Sequence, residues 1–165
     1  MPHSPTPTVH AVDDRLRDAV LTLQIQPDQQ SQVGRVTDLL ADAESRSSCE
    51  PMVVLLDERA IGFYCLETNV RTVTGRDLDQ PALGLRGFFI DARWQRRGHG
   101  AAAMRALFQD LAVRHPQARL LALTVSAHNT AALTLYQRCG FDDSGERYHG
   151  GHTGPQHLLL RALGV

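Results

Sequence analysis

The chain contains no lysine, no long hydrophobic run and little net charge, and each absence excludes a class of function. All 17 of its basic residues are arginine, which excludes a Walker-type phosphate loop because that loop needs a lysine after its glycines. No apolar stretch approaches the roughly 20 residues that cross a bilayer, so we expect no membrane partner. The net charge of −1 at pH 7 argues against nucleic acid as the main partner.

Cysteine is scarce as well. The 3 cysteines are odd in number and lack the spacing of metal ligands. We interpret them as buried free thiols in a reducing cytoplasm: Cys49, Cys65 and Cys139. Three histidines near the C-terminus span a glycine turn and a strand rather than one helical turn: His149, His152 and His157. We predict turn and surface residues there, and no metal site.

The length of 165 residues suits a single domain with one core. The polar, proline-rich start predicts a disordered tail over residues 1–7, followed by one domain over residues 8–165. Apolar residues recur at helical spacing in four segments: 15–23, 28–43, 98–115 and 130–139. Strands are predicted over 8–12, 52–56, 60–68, 83–91, 120–126, 142–148 and 157–163, with a long polar loop over 69–82. This order of elements is typical of a mixed α/β (α+β) chain.

The segment Gly87–Ala106 says most about function. A hydrophobic strand leads into a loop with Gly98 and Gly100, and the loop opens directly into an amphipathic helix. Such a junction points free backbone N–H groups and the positive end of a helix dipole at one place, which suits a phosphate. The two glycines lack side chains that would keep a diphosphate away from the backbone, and Arg96 and Arg97 add positive charge.

A second block lies downstream, from Thr124 to Phe141. Asn129 is typical of a helix N-cap, and apolar residues follow it at helical spacing. Gly140 fits the left-handed residue that commonly ends a helix. The block therefore predicts a short helix that begins at the end of a buried strand.

The two blocks resemble the motifs of one superfamily. The pattern Gln-x-x-Gly-x-Gly, at residues 95–100, is similar to the acetyl-CoA pyrophosphate motif of the GNAT N-acetyltransferases. The pattern Asn-x-x-Ala-x-x-Leu-Tyr-x-x-x-Gly-Phe, at residues 129–141, matches a second motif of that superfamily. The resemblance implies the GNAT fold, a mixed sheet of about six or seven strands that is splayed at the acetyl-CoA site and flanked by about four helices. It also implies a cytoplasmic enzyme with acetyl-CoA as cosubstrate and no metal.

Outer parts of the chain resemble the spermine/spermidine (diamine) N-acetyltransferase branch more loosely. The similar segments include Leu23–Gln30, Ala41–Glu44, Ile61–Phe63 and Phe88–Asp91. One difference lies just before the Phe-Phe-Ile run, where the branch has arginine and this chain has Gly87 preceded by Arg86. Because side chains alternate along a strand, a shift of one residue sends the arginine to the other face.

The resemblance assigns the acetyl-CoA site residue by residue. Backbone groups of Phe88, Phe89 and Ile90 would bind the pantetheine arm, with Asn129 on the opposite side, and an N–H near Phe89 or Ile90 would face the thioester carbonyl. The phenol of Tyr136 would protonate the departing thiolate. The diphosphate would lie on the loop and the first helical turn: Gln95, Arg96, Arg97, Gly98, His99, Gly100 and Ala101.

An amine must lose a proton to attack, so the resemblance also implies a general base. Several N-terminal acetyltransferases of the superfamily carry a glutamate on the strand before the asparagine, at the position of Thr124 here, and threonine cannot serve. We therefore name Glu67 as the candidate catalytic base. Glu50, Asp77 and Asp79 are the alternatives.

We expect the acceptor to be the primary amine of a polyamine or another small cationic molecule. A polycation favours a pocket rich in carboxylates, and acids occur in the 67–79 loop and around the first helices: Asp28, Asp38, Asp42 and Glu44. Solvated helix faces explain these acids equally well. The alternatives are peptide or protein N-termini, an aminoglycoside-type antibiotic, or a non-enzymatic acyl-CoA sensor. Many members of the superfamily are dimers, so a homodimer is open as well.

Overall fold

The computed structural model describes residues 5–27, 34–148 and 155–164. The strands are β1 (Thr8–Ala11), β2 (Cys49–Leu56), β3 (Arg59–Glu67), β4 (Ala82–Ile90), β5 (Leu120–Ser126), β6 (Asp142–Tyr148) and β7 (Gln156–Ala162). The helices are α1 (Asp14–Leu21), α2 (Val36–Ser45), α3 (Arg71–Thr74), α4 (His99–Arg114) and α5 (Thr130–Arg138), with a 3-10 turn at Ala92–Trp94. The 7 strands form one sheet in the order β1-β2-β3-β4-β5-β7-β6. No helix in the described ranges is long and apolar enough to cross a bilayer.

The predicted mixed fold is confirmed, and two elements differ from the prediction. The helix predicted over 28–43 is not continuous: its part within the described residues, α2, begins at Val36, because Gly34 has a left-handed φ of 93° that a right-handed helix cannot include. Residues 28–33, like residues 1–4 of the predicted tail, lie outside the described residues. The predicted loop over 69–82 contains the single turn α3, which ends at Gly75 with a φ of 80°.

The sheet separates two apolar layers. On one face α4 and α5 pack Met104, Leu107 and Tyr136 against strand residues that include Leu121 and Leu123. On the other face α1 and α2 pack their apolar sides against β2, β3 and β4 through Leu16, Val20, Leu40, Phe63 and Phe89. Both layers contain residues of the central strands β3 and β4, so these strands are covered on both sides.

Strands β4 and β5 are the one parallel pair among the described strands, and they pair over only part of their length. Ala82–Gly84 pair with Leu120–Ala122. Beyond that point, residues 85–90 and 123–126 no longer pair with each other. The two strands therefore diverge toward their carboxyl ends, which is the splay that the sequence led us to expect.

A β-bulge lies in β4 beside this gap. Phe63 and Cys65 of β3 lie opposite Phe89 and Arg86 of β4, so β4 has one extra residue between the two pairs. Gly87 occupies the bulge with a φ of 62°, and a Cβ there would lie 3.2 Å from Cδ2 of Leu39. Glycine is required at this position for both reasons.

Candidate active site

A cavity of about 740 Å³ opens where β4 and β5 diverge. Most of the residues predicted to bind acetyl-CoA line it: Phe88, Phe89, Ile90, Gln95, Arg96, Gly98, His99, Gly100, Ala101, Asn129 and Tyr136. Two predicted site residues do not, namely Arg97 and Glu67. The structure therefore brings the two sequence motifs together around a single opening in the sheet.

The loop after β4 is held in place by Asp91. The Asp91 carboxylate is 0% exposed and accepts hydrogen bonds from the backbone N–H groups of Gln24 and Arg93, each at 2.8 Å. The Arg93 guanidinium also pairs with it at 2.9 Å. Burial opposes ionisation of Asp91, but these hydrogen bonds outweigh it and lower its pKa. Asp91 was not among the site residues predicted from the sequence, although an aspartate directly after a buried strand is a recognisable capping signal.

Backbone geometry exposes the amides at the start of α4. The chain turns left-handed at Arg96, with a φ of 65°, and again at Gly98, with a φ of 79°. The first hydrogen bond of α4 runs from the N–H of Ala102 to the carbonyl of Gly98 at 3.2 Å. The amides of His99, Gly100 and Ala101 therefore have no partner within the helix. All three residues line the cavity, so the positive end of the helix dipole lies beside it, which favours an anion.

The two glycines of the loop act differently. A Cβ on Gly98 would meet nothing within 4 Å, so its left-handed backbone is what requires glycine there. A Cβ on Gly100 would lie 3.4 Å from Cδ2 of Leu135, an ordinary van der Waals contact, so packing against α5 does not by itself require glycine there. Gln95 has a local role as well, since its side-chain amide donates to the carbonyl of Ile90 at 2.9 Å. The motif thus shapes the loop as much as it opens space for a ligand.

Arg97 lies on the outer side of the loop. Its guanidinium carbon is 5.3 Å from the centre of the Trp94 ring, and that of Arg59 is 5.7 Å from the same ring. The Trp94 ring also contacts His99, with ring centres 5.8 Å apart. Stacking on Trp94 directs Arg97 away from the cavity, so its assignment to the diphosphate stays a prediction.

Helix α5 supplies the wall that faces β4. The Asn129 side chain caps this helix by accepting from the N–H of Ala132 at 3.2 Å. Tyr136, about two turns after Asn129, is 8% exposed and lines the cavity. Its ring contacts Phe88 and Phe141, with ring centres 6.4 and 5.6 Å apart. Burial raises the pKa of Tyr136, so its phenol is protonated at neutral pH and can donate a proton.

Glu67 lies below the surface beside the cavity rather than in its wall. Its side chain is 0% exposed and forms an ion pair with Arg46. Arg46 also pairs with Asp42 at 3.0 Å and so connects a buried carboxylate with a half-exposed one. The second oxygen of Glu67, Oε2, is buried with no hydrogen-bond partner among the described residues. The assignment of Glu67 as general base stays a prediction.

The carboxylates that suggested a polycation site are mostly engaged elsewhere. Glu44 pairs with Arg17 at 2.9 Å, and Asp77 pairs with Arg71 at 2.9 Å. Asp28 lies outside the described residues. Asp42 is the single carboxylate among the described residues that line the cavity, and Arg86 lines the same side. The sequence analysis did not single out Arg86 as a site residue, because its face depends on the bulge at Gly87.

No group of three or more histidine, cysteine, aspartate or glutamate side chains in the described ranges is arranged to hold a metal ion. His149 and His152 lie outside those ranges. The Nδ1 of His157 lies 2.9 Å from Oδ2 of Asp143, so this imidazole interacts with a side chain of the neighbouring strand β6.

Comparisons with known proteins agree with this geometry. The sequence profile of the acetyltransferase (GNAT) family matches residues 14–141. The spermine/spermidine N(1)-acetyltransferase of Bacillus subtilis (strain 168) is 32% identical over 142 residues, which are 84% of this chain and 89% of that protein. The aminoglycoside acetyltransferase AAC(6')-Ib in complex with coenzyme A superposes with a TM-score of 0.76 at 17% identity, over 95% of each chain. AAC(6')-Ib with paromomycin and acetyl-CoA gives a TM-score of 0.75 at 16% identity, over 95% of this chain and 93% of that one.

The two structural likenesses concern the fold, whereas the profile covers most of the chain and both motifs. The chain therefore belongs to the GNAT family of acetyltransferases and is an N-acetyltransferase.

Proposed function

We propose that this protein transfers the acetyl group of acetyl-CoA to the primary amine of a small molecule by direct attack within a ternary complex. The observation that carries the proposal is the opening between β4 and β5, which has helix-terminal amides at one end and Tyr136 in its wall. An acetyl group bound as a thioester is activated toward amines, and no other chemical group is required from the cosubstrate.

The residues around the opening fit acetyl-CoA. Along β4, Phe88, Phe89 and Ile90 have no strand beside them on the β5 side, so their backbone groups can bind the amides of a pantetheine arm as a neighbouring strand would. The amides of His99, Gly100 and Ala101 suit the diphosphate. Asn129 lines the opposite wall.

Backbone and side-chain groups then have separate roles in the transfer. A backbone N–H at Phe89 or Ile90 stabilises negative charge on the carbonyl oxygen during attack. Tyr136 donates its phenolic proton to the departing sulfur. Glu67, reached through an intervening water, is the candidate to accept the proton of the amine.

A polyamine is the acceptor that relatives favour. The support is the 32% identity to a protein named spermine/spermidine N(1)-acetyltransferase and the similarity of the outer segments to that branch. Spermidine is therefore the first acceptor to assay. Homodimer formation and a cytoplasmic location, both implied by the family, accompany this proposal as predictions.

The proposal is tested by measuring binding and turnover separately. Calorimetry with acetyl-CoA reports binding, and thiol release reports transfer across a panel of spermidine, an aminoglycoside and a short peptide. Thiol release with spermidine alone supports the polyamine proposal. Release with the peptide or the aminoglycoside alone redirects it to that acceptor, and tight binding without release on any amine indicates an acyl-CoA sensor.

A pair of glycine variants isolates the acetyl-CoA loop. Gly98 and Gly75 have nearly the same left-handed φ, 79° and 80°, but only Gly98 lines the cavity. Substitution by alanine strains each backbone by roughly 1–2 kcal/mol. We expect both variants to lose similar stability, and only Gly98→Ala to lose affinity for acetyl-CoA, about tenfold or more. Equal affinity in the two variants would remove the loop from the site.

A further inference from the structure

One side of the cavity lies on the face of the sheet that carries α1 and α2. Cys65 and Phe89 belong to the apolar layer on that face, and Arg86 lies opposite Cys65 in the β3–β4 pairing. Arg86 shares this face because paired residues in neighbouring strands point the same way. Leu39 and Asp42 of α2 line the cavity with it. Tyr136 packs in the layer on the opposite face.

Arg86 is far from the amides proposed to bind the diphosphate. It precedes Asp91, where the loop begins, by five residues, which correspond to roughly 16 Å along an extended strand. Its guanidinium is therefore closer to where the acceptor would bind than to the amides proposed for the diphosphate of acetyl-CoA. The bulge at Gly87 is what makes this possible, because it lets Arg86 and Phe89 face the same side although they are three positions apart.

The charged residues that line the cavity do not favour a polycation. Asp42 is the single carboxylate among the described lining residues, and Arg46 already pairs with it at 3.0 Å. The lining arginines, by contrast, are Arg86, Arg96 and Arg138. Within the ranges that the structure describes, Arg86 makes no ion pair or hydrogen bond with a carboxylate. A partly buried guanidinium without a partner repels a second cation and binds an anion strongly.

We infer that Arg86 is a specificity-determining residue that binds an anionic group on the acceptor, so that the site prefers an amine bearing a carboxylate over an unsubstituted polyamine. The inference rests on the proposed transfer to a small amine, and it departs from the polyamine that the sequence relatives favour as acceptor.

The test compares two acceptors that differ by one carboxylate, lysine and 1,5-diaminopentane. For the wild type we expect a higher kcat/KM with lysine. Arg86→Gln should lower kcat/KM for lysine by about 10- to 100-fold, the range of a lost charge-assisted hydrogen bond, and should leave that for the diamine unchanged or higher. Arg86→Lys should retain part of the preference, and Arg86→Glu should reverse it.

A binding measurement separates recognition from turnover. With coenzyme A in place of acetyl-CoA no transfer occurs, so calorimetry reports the affinity for each acceptor directly. Arg105→Gln is the matched control, because Arg105 is exposed on α4 and does not line the cavity. It should leave both affinities unchanged.

Several outcomes would overturn the inference. A wild-type preference for 1,5-diaminopentane or spermidine would do so, as would the same acceptor ratio in wild type and Arg86→Gln. Absence of thiol release with every amine would instead refute the proposed transfer, and Arg86 would then have no acceptor to recognise.

Discussion

Replacement of Tyr136 by phenylalanine is the sharpest test of the proposed chemistry. The substitution removes one oxygen and keeps the ring, whose contacts with Phe88 and Phe141 hold the wall of the cavity. We therefore expect little change in melting temperature or in affinity for acetyl-CoA. Loss of one general acid should lower kcat by roughly ten- to a thousandfold, which corresponds to about 1.4–4.1 kcal/mol in the activation barrier.

The same residue also determines how kcat of the wild type should depend on pH. Burial raises the pKa of Tyr136, so its protonated, active form is present below that pKa and is lost only as the pH rises through it. Tyrosine ordinarily ionises near pH 10, so we expect no fall in kcat caused by Tyr136 up to about that pH. The profile is measured by thiol release between pH 6 and pH 10, a range in which roughly all of the phenol stays protonated.

Tyr64→Phe is the matched control. Tyr64 is 0% exposed and does not line the cavity, and its hydroxyl is buried without a hydrogen-bond partner among the described residues. Removal of that hydroxyl should leave kcat unchanged and raise the melting temperature by about 2–4 °C, for a gain of about 1 kcal/mol. If Tyr136→Phe turns over at the wild-type rate while Tyr64→Phe behaves as expected, Tyr136 has no part in the proton transfer.

Three further variants test the surrounding structure. Glu67→Gln removes the buried carboxylate that pairs with Arg46, although Asp42 still pairs with this arginine, and should lower the unfolding free energy by about 1–3 kcal/mol; if Glu67 is also the base, kcat/KM at pH 7 falls and recovers at high pH, whereas unchanged kcat/KM would contradict that role. Gly87→Ala must strain a φ of 62° and meets Leu39 at 3.2 Å, so we expect a loss of roughly 1–3 kcal/mol, checked by urea unfolding. The lowered pKa of Asp91 stabilises the fold fully above about pH 4, and this contribution is lost as the pH falls further through the lowered pKa, so acid titration of Asp91→Asn should show a smaller loss of stability than that of the wild type.

The sequence predicted those parts of the site that depend on local chain geometry. The loop and the start of α4 could be located to within a residue, because the glycines and the change from strand to helix periodicity are local signals. The N-cap at Asn129 was equally visible, since a capping side chain acts on an amide three residues away. The divergence of β4 and β5 followed from resemblance to a known fold and is confirmed by the pairing.

Other parts of the site depend on which residues face each other, and the sequence contains no local signal for that. Arg86 lines the cavity on the same side as Phe89 only because an extra residue at Gly87 resets the alternation of β4. Glu67 lies at the end of a strand and Arg46 directly after α2. The sequence around either residue gives no sign that the two pair. The acids around the first helices were visible as a cluster, but their partners in the fold decide which of them can meet a ligand.

The short pairing between β4 and β5 divides the sheet into two groups of strands, β1–β4 and β5–β7, whose backbones meet only over Ala82–Gly84 and Leu120–Ala122. A molecule with amides of its own that fills the gap would act as an additional strand and join the two groups by hydrogen bonds. The protein would then be more rigid when loaded than when empty. Amide hydrogen exchange along both edges of the gap would therefore be slower in the loaded protein than in the empty one. The rigidity of the sheet would change each time the cosubstrate binds and leaves.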